Sequence, residues 1–268
     1  MKSESKVRVL LIGAGNLGRR FSKVLTDKHE ELLQRYGLDV RLVGVADSRG
    51  AAIVADGLDG AAVSAHGLDG AAITAIKEAG GSVADLPEVG RPGMTGLELI
   101  ETVNADLLCE ASPVNLDTGA EPGLSHVRLA LVKGLHVSTP NKGPIVLAYR
   151  ELMASAQQHG VQLRFDGTVA GGLPAIALGA RDLRGATIQR IDAVPNLTTG
   201  FVLDLLASGV KWDDAIEEAR AAGALEGDGV WDIDGWDAAA KMAILAQSVL
   251  DLDVDLKDIS MKGIRDID

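Results

Sequence analysis

The sequence predicts an α/β protein: a doubly wound parallel sheet, followed by a second domain of α+β type. Three observations carry this expectation. Residues 7–12 form an apolar run broken only by Arg8, as in a strand buried on both faces of a parallel sheet. The run leads directly into Gly13-Ala14-Gly15-Asn16-Leu17-Gly18 and then into an amphipathic helical pattern. Short apolar strands then alternate with helical segments as far as residue 145.

The order strand, Gly-x-Gly-x-x-Gly, helix is the Rossmann-type arrangement for a dinucleotide. Gly13 permits the tight turn, Gly15 lets a pyrophosphate approach the backbone, and Gly18 lets helix pack against strand. The helix start offers N–H groups and a positive dipole end to phosphates. The six residues of this turn are therefore the expected cofactor cradle. Leu17, Phe21, Val24, Leu25 and Leu32 repeat at helical spacing, and Gly37 closes the helix.

A second strand over 40–46 ends in Asp47-Ser48-Arg49, the expected ribose end of the cofactor. Asp47 suits ribose hydroxyls and Arg49 suits a 2′-phosphate, so the choice between NAD and NADP stays open. Residues 55–64 and 65–74 are near-copies, read as a duplicated surface connection, and 80–96 as loop. Further elements are a helix over 97–103, a strand over 106–111, a helix over 124–133 and a strand over 136–139. Ligands of open α/β sheets sit at the carboxyl ends of strands. Ser112, Pro113 and Lys142 fall there, and Lys142 is a candidate contact for nicotinamide or substrate.

A helix over 144–159 carries the chain across the expected domain change, giving a dinucleotide-binding domain over 1–145 and a second domain over 146–268. The latter reads as a strand over 161–165, the glycine turn 166–174, a helix over 174–181 and a strand over 187–194. Helices over 201–207, 212–222 and from Trp236 follow, with a last strand near 259–264.

Composition narrows the function. The net charge of −12 argues against a nucleic-acid or anionic-membrane surface. No signal-like or membrane-spanning apolar stretch is visible, which gives a soluble cytoplasmic expectation. Cys109 is the single cysteine, set in an apolar strand, and the five histidines lack metal-ligand spacing. The chemistry concentrates in residues 226–247. Asp237 and Lys241 stand four apart at a helix start, so the acid holds the lysine charged and ready to give up a proton. Glu226 and Asp232 in the preceding loop bring further carboxylates.

With these residues in hand, the chain resembles the homoserine dehydrogenase family. The resemblance rests on VRVLLIGAGNLG, STPNKGP at 138–144, DGTVAGGLPAI at 166–176 and DIDGWDAAAKMAILA at 232–246. It implies NAD(P)H-dependent reduction of L-aspartate 4-semialdehyde to L-homoserine, on the route to threonine and methionine. It implies Lys241 as proton donor, Asp237 as its partner, and Lys142 as a second lysine bridging nicotinamide and substrate. Glu226 would meet the substrate amine, with Asp232 close by. It further implies a homodimer, and a monovalent cation such as sodium held in the glycine turn by Asp166, Val169, Gly171 and Leu173.

Two departures stand out. The family's Asn-Gly-Thr-Thr-Asn segment reads Asn196-Leu197-Thr198-Thr199-Gly200 here, and the sequence ends sooner than relatives usually do. The alternatives are a related dehydrogenase of another small amino-acid or aldehyde substrate, or an inactive nucleotide-binding relative.

Overall fold

The computed structural model describes residues 5–54, 63–64, 67–225, 229–265 and 267. The chain divides into two compact units, Met1–Phe165 and Asp166–Asp268.

The first unit opens with β1 (Ser5–Ile12), α1 (Asn16–Asp27), α2 (His29–Tyr36), β2 (Leu38–Asp47), β3 (Gly50–Ile53), β4 (Val63–Ser64) and β5 (Gly67–Leu68). It continues with α3 (Gly70–Glu78), β6 (Gly90–Pro92), α4 (Gly96–Thr102), β7 (Leu107–Glu110), α5 (Gly123–Val132), β8 (His136–Ser138), α6 (Lys142–Gln158) and β9 (Leu163–Arg164). The sheet order is β4-β5-β2-β1-β7-β8-β9, with β3 and β6 attached beside β2. β1 pairs in parallel with β2 on one side and β7 on the other, and β7–β8 and β8–β9 are parallel too. Strand order therefore reverses at β1, which puts the ligand-binding crevice at the carboxyl ends of β1 and β7.

Val9, Leu10 and Leu11 are sealed from solvent, as a central parallel strand requires. Truncating Leu10 to Ala would cost about 2–5 kcal/mol, the usual range for a core leucine. The helix expected to run to Gly37 is broken at Lys28 into α1 and α2, and Gly37 closes α2 in the left-handed conformation. The first copy of the duplication lies almost wholly outside the described residues. The second is no surface connection: Leu68 and Ile73 are buried, and Gly70 lies so close to Ser22 of α1 that a β-carbon would meet its backbone at 2.4 Å. Residues 80–96, read as loop, contain β6.

The expected domain change after 145 also shifts. α6 packs on α5, and β9 extends the sheet through Val137↔Leu163 and Ser138↔Arg164, so 146–165 belong to the first unit.

The second unit is helical among its described residues. It contains α7 (Ala175–Ala177), a π-turn over Leu178–Asp182, α8 (Leu197–Ala207), α9 (Trp212–Ala221), α10 (Val230–Ile233) and α11 (Trp236–Val249). The expected strand at 187–194 does not form there. Its β-branched residues have no sheet to join, and Val194 is 84% exposed. Residues 259–264 likewise form no strand; Ile264 makes a backbone hydrogen bond to the Ile233 carbonyl. A small core gathers Val202, Ala215, Ala219, Leu225, Ile233 and Ile264. Among the described residues, no helix is long and apolar enough to cross a membrane.

Candidate active site

The candidate cofactor cradle of the first unit is defined by missing side chains. Gly13 has φ +98, and a β-carbon there would lie 2.2 Å from the Ala111 carbonyl oxygen. A β-carbon on Gly18 would lie 1.9 Å from the Gly13 oxygen, whereas Gly15 faces open space. The turn is thus closed at its base and open at the position where a pyrophosphate needs room. Gly15 precedes α1, and no side chain caps that helix. Asn16 and Leu17 are exposed, while Ala14 is buried in the core. The loop after β7 runs alongside, since the Ala111 N–H donates to the Ile12 carbonyl at 2.7 Å.

Asp47 ends β2 with its side chain only 6% exposed. Its Oδ2 accepts from Lys77 Nζ at 2.7 Å and from the Val83 N–H at 3.0 Å. Its Oδ1 accepts from Ser82 Oγ at 2.7 Å and the Arg49 N–H at 2.9 Å. Burial pushes the carboxyl upward, but the Lys77 ammonium and the three other donors outweigh it, so Asp47 titrates below the ordinary aspartate range. Ser48 and Arg49 are exposed, and the Arg49 guanidinium donates to the Gly80 carbonyl.

At the ends of β7 and β8, Glu110 is sealed from solvent and accepts from Ser112, Thr139 and Asn141. Asn141 caps α6 by accepting from the Gly143 N–H, and so fixes the helix start at Lys142, which is partly buried. Pro113 is exposed in the loop after β7. Cys109 is buried, and burial pushes its thiol up to about 12, which removes it as a nucleophile at neutral pH.

In the second unit, α11 brings Asp237 and Lys241 together as their spacing requires. Lys241 Nζ lies 2.8 Å from Asp237 Oδ2 and donates to the Pro195 carbonyl at 2.6 Å. Both side chains are largely buried, which strengthens the pair beyond an exposed one. Asp237 stands in the first turn of α11, where the helix dipole favours an anion. Asp232, on α10, joins the cluster through Asn196, whose Nδ2 donates to Asp232 Oδ1 at 2.5 Å and to Asp237 Oδ2 at 2.7 Å.

Asn196 is the residue that sequence reasoning missed as a site component. Its Oδ1 accepts from the Thr199 N–H at 2.7 Å and caps α8. An Asn placed before an apolar helical run was the available signal. Glu226 lies outside the described residues.

A cavity of about 550 Å³ adjoins this cluster, lined by apolar residues such as Val169, Leu173, Val194, Leu197 and Leu245, with Lys241 at its wall. Neither Asp232 nor Asp237 lines it. The polar chemistry therefore belongs to the Asn196 cluster and not to the cavity's apolar floor. In the glycine turn, Asp166 Oδ1 accepts from the Ala177 N–H and the Leu173 carbonyl accepts from Ala175. Leu173 is 69% exposed, and Val169 is buried.

A glycine cradle at the strand-order reversal, in a chain that also carries a lysine held by a buried acid, defines a nicotinamide-dependent oxidoreductase. Comparison with known proteins makes this particular. A family model for homoserine dehydrogenase matches residues 174–268. The homoserine dehydrogenase of Methanocaldococcus jannaschii is 36% identical over 257 residues, 96% of this chain and 73% of that protein. An NAD(+)-dependent homoserine dehydrogenase of Pseudomonas canavaninivorans is 32% identical, over 97% of this chain and 71% of its own length. A solved hyperthermophilic archaeal homoserine dehydrogenase in complex with NADPH superposes with a TM-score of 0.80 at 28% identity. That match covers 98% of this chain and 75% of the other. The chain belongs to the homoserine dehydrogenase family.

Proposed function

We propose that the protein interconverts L-homoserine and L-aspartate 4-semialdehyde with NAD(P)H, and that Lys241 carries the proton. The observation that carries the reading is the Lys241–Asp237 pair at 2.8 Å within the Asn196 cluster. When bound, the nicotinamide supplies the hydride. Lys241 Nζ stabilises the negative charge that grows on the aldehyde oxygen and delivers a proton to it. Asp237 holds that ammonium charged and oriented. Asp232, with Glu226, draws the substrate amine. Lys142, at the start of α6, binds on the cofactor side together with Ser112 and Pro113. The six-residue turn Gly13–Gly18 takes the pyrophosphate.

For the choice of cofactor, Asp47 has spent its oxygens on Lys77, Ser82 and two backbone N–H groups, while Arg49 stands exposed beside it. A guanidinium with donors to spare suits a 2′-phosphate, so we assign the preference to NADP(H). The cation expected in the glycine turn fits less well. Asp166 Oδ1 and the Leu173 carbonyl each already accept one backbone N–H there, which leaves each with fewer lone pairs for a cation, and no step depends on one.

A homodimer in the cytoplasm completes the reading. Its support is the exposure of Leu173, Leu178, Leu183, Val194 and Leu197 around one apolar cavity. Light scattering after gel filtration reads that assembly directly; a monomer at micromolar concentration removes it. Activity is tested by following NADPH formation with L-homoserine against a panel of small hydroxy acids and amino alcohols. A response to homoserine alone is expected. Silence toward homoserine with a response to another substrate would move the assignment to a related dehydrogenase.

A further inference from the structure

Glu110 is the last residue of β7, has no exposed surface, and is absent from the mechanism just given. Its partners make it unusual. Oε1 accepts from the Ser112 N–H at 3.0 Å and from the Ser112 hydroxyl. Oε2 accepts from Thr139 Oγ1 at 3.3 Å and from Asn141 Nδ2 at 3.2 Å. Asn141 Nδ2 also reaches Ser112 Oγ at 3.3 Å, and the Asn141 N–H donates to Thr139 Oγ1 at 3.0 Å. Among the described residues its basic neighbour is His126, whose Nδ1 lies 3.6 Å from Oε1 and makes no hydrogen bond.

A sealed carboxylate is costly, and stability alone does not call for one, since apolar replacements of buried charges are often neutral or better. What this carboxylate achieves is geometric. It ties the loop after β7, which carries Ser112 and Pro113, to the loop after β8, where Asn141 sets the first turn of the helix that begins with Lys142. Neighbouring residues leave little slack. A β-carbon on Gly123 would meet Asn141 Nδ2 at 2.5 Å, and one on Gly143 would meet the Ala120 β-carbon at 2.8 Å.

We propose that Glu110 is a positioning residue for hydride transfer, fixing the Ser112 loop and the Lys142 helix start in one register beneath the nicotinamide. This rests on the reading that those two loops hold the nicotinamide end of the cofactor. A misplacement of about 1 Å at a reacting centre can lower turnover on the order of 100-fold, so a tether of this kind acts on kcat more than on binding.

The test compares the unaltered protein with Glu110→Gln and Glu110→Gln/Asn141→Asp. The first keeps the shape but turns one acceptor into a donor facing donors. The second restores a donor–acceptor pair with its direction reversed. For Glu110→Gln, kcat should fall about 10- to 100-fold, with the Kd for NADPH within about threefold and a larger deuterium isotope effect from 4-deuterated NADPH. The double variant should regain a substantial part of the lost kcat. Should Glu110→Gln not fold, Thr139→Val, which removes the donor to Glu110 and the acceptor of the Asn141 N–H at similar volume, should still lower kcat with NADPH binding intact. A folded Glu110→Gln with undiminished kcat, a double variant as slow as the single one, or a Thr139→Val variant as fast as the parent would each overturn the proposal. If the unaltered protein binds NADPH but does not oxidise homoserine, it is the functional reading that fails; an active parent with an indifferent Glu110→Gln sinks only the tether.

Discussion

The two units prepare chemistry by opposite means. In the first, the proposed cofactor cradle is made by removing side chains: the turn carries none at 13, 15 and 18, and two of those positions have no room for one. In the second, the proposed proton-handling cluster is made by adding charge: one asparagine joins Asp232 to Asp237, and Asp237 holds Lys241. The difference has a physical cause. A pyrophosphate is bound by backbone dipoles and must come close to them. A developing oxyanion needs a formal positive charge that can also lose a proton. Substitutions should therefore fail by crowding in the first unit and by charge or donor mismatch in the second.

The sharpest test of that contrast lies within the glycine turn itself. Gly15→Val should fold normally, because nothing lies within 4 Å of its β-carbon, and should lose dinucleotide binding altogether. Gly18→Val should lose the fold first, because its β-carbon meets the Gly13 carbonyl at 1.9 Å. Thermal melts with and without NADPH separate the two. A Gly15→Val protein that is still stabilised by NADPH would break the proposed cradle.

Lys241→Ala comes next in size. Turnover should fall by on the order of 100-fold or more, the usual cost of losing a positioned acid, while NADPH binding stays near the parent value. Unchanged turnover would hand the proton to another group. Asn196→Ala should cost less but in the same direction, about tenfold to a hundredfold in kcat. It strips hydrogen bonds worth about 1.5–3 kcal/mol from two carboxylates without removing the lysine. Should Asn196→Ala leave kcat intact, the asparagine is only a helix cap.

Arg49→Ala sharpens the cofactor side. Loss of a charge-assisted contact to a 2′-phosphate should raise the Kd for NADPH by about tenfold or more and leave NADH untouched. An equal effect on both would mean that Arg49 acts on the loop and not on the phosphate.

How much of this could be read in the sequence follows the same division. Parallel strands buried on both faces show as apolar runs, and a glycine turn shows as glycines, so β1, β2, β7 and the turn after β1 were visible to within a residue or two at their ends. Tertiary partners were not. Residues 187–194 look like a strand because β-branched side chains say so, yet a strand exists only where another offers its hydrogen bonds, and none does among the described residues. The domain change was misplaced because β9 joins the sheet by two residues, too short a run to mark membership. The Asp237–Lys241 pair was legible because four residues make one helical turn. Asn196 as its hub was not, because the contact spans 41 residues of chain. Asp47 was read as an open acceptor, since no local pattern announces that Lys77 and Ser82 will close over it.

That closure gives the smallest and most specific prediction. Burial alone would raise Asp47, but Lys77, Arg49 N–H, Ser82 and Val83 N–H together hold it below the ordinary value near 3.8. A carboxyl that is lower in the folded state than in the unfolded chain binds fewer protons when folded, so its contribution favours folding above the unfolded value. That contribution drains away as pH falls through the folded one. Asp106, lowered by Arg8, acts in the same direction. The parent slope therefore has several sources, and only a difference isolates Asp47. Melting temperatures taken from pH 7 down to pH 3 should fall less steeply below pH 4 in Asp47→Asn than in the parent. Lys77→Met should also flatten the acid slope, because the buried carboxyl loses its ammonium partner and its folded value rises toward the unfolded one, closing the window in which the unfolded chain binds more protons. If Asp47→Asn keeps the parent's acid slope, Asp47 is not held by these donors in solution. Its oxygens would then be open to a ribose after all, and the argument for NADP(H) through Arg49 would lose its first premise.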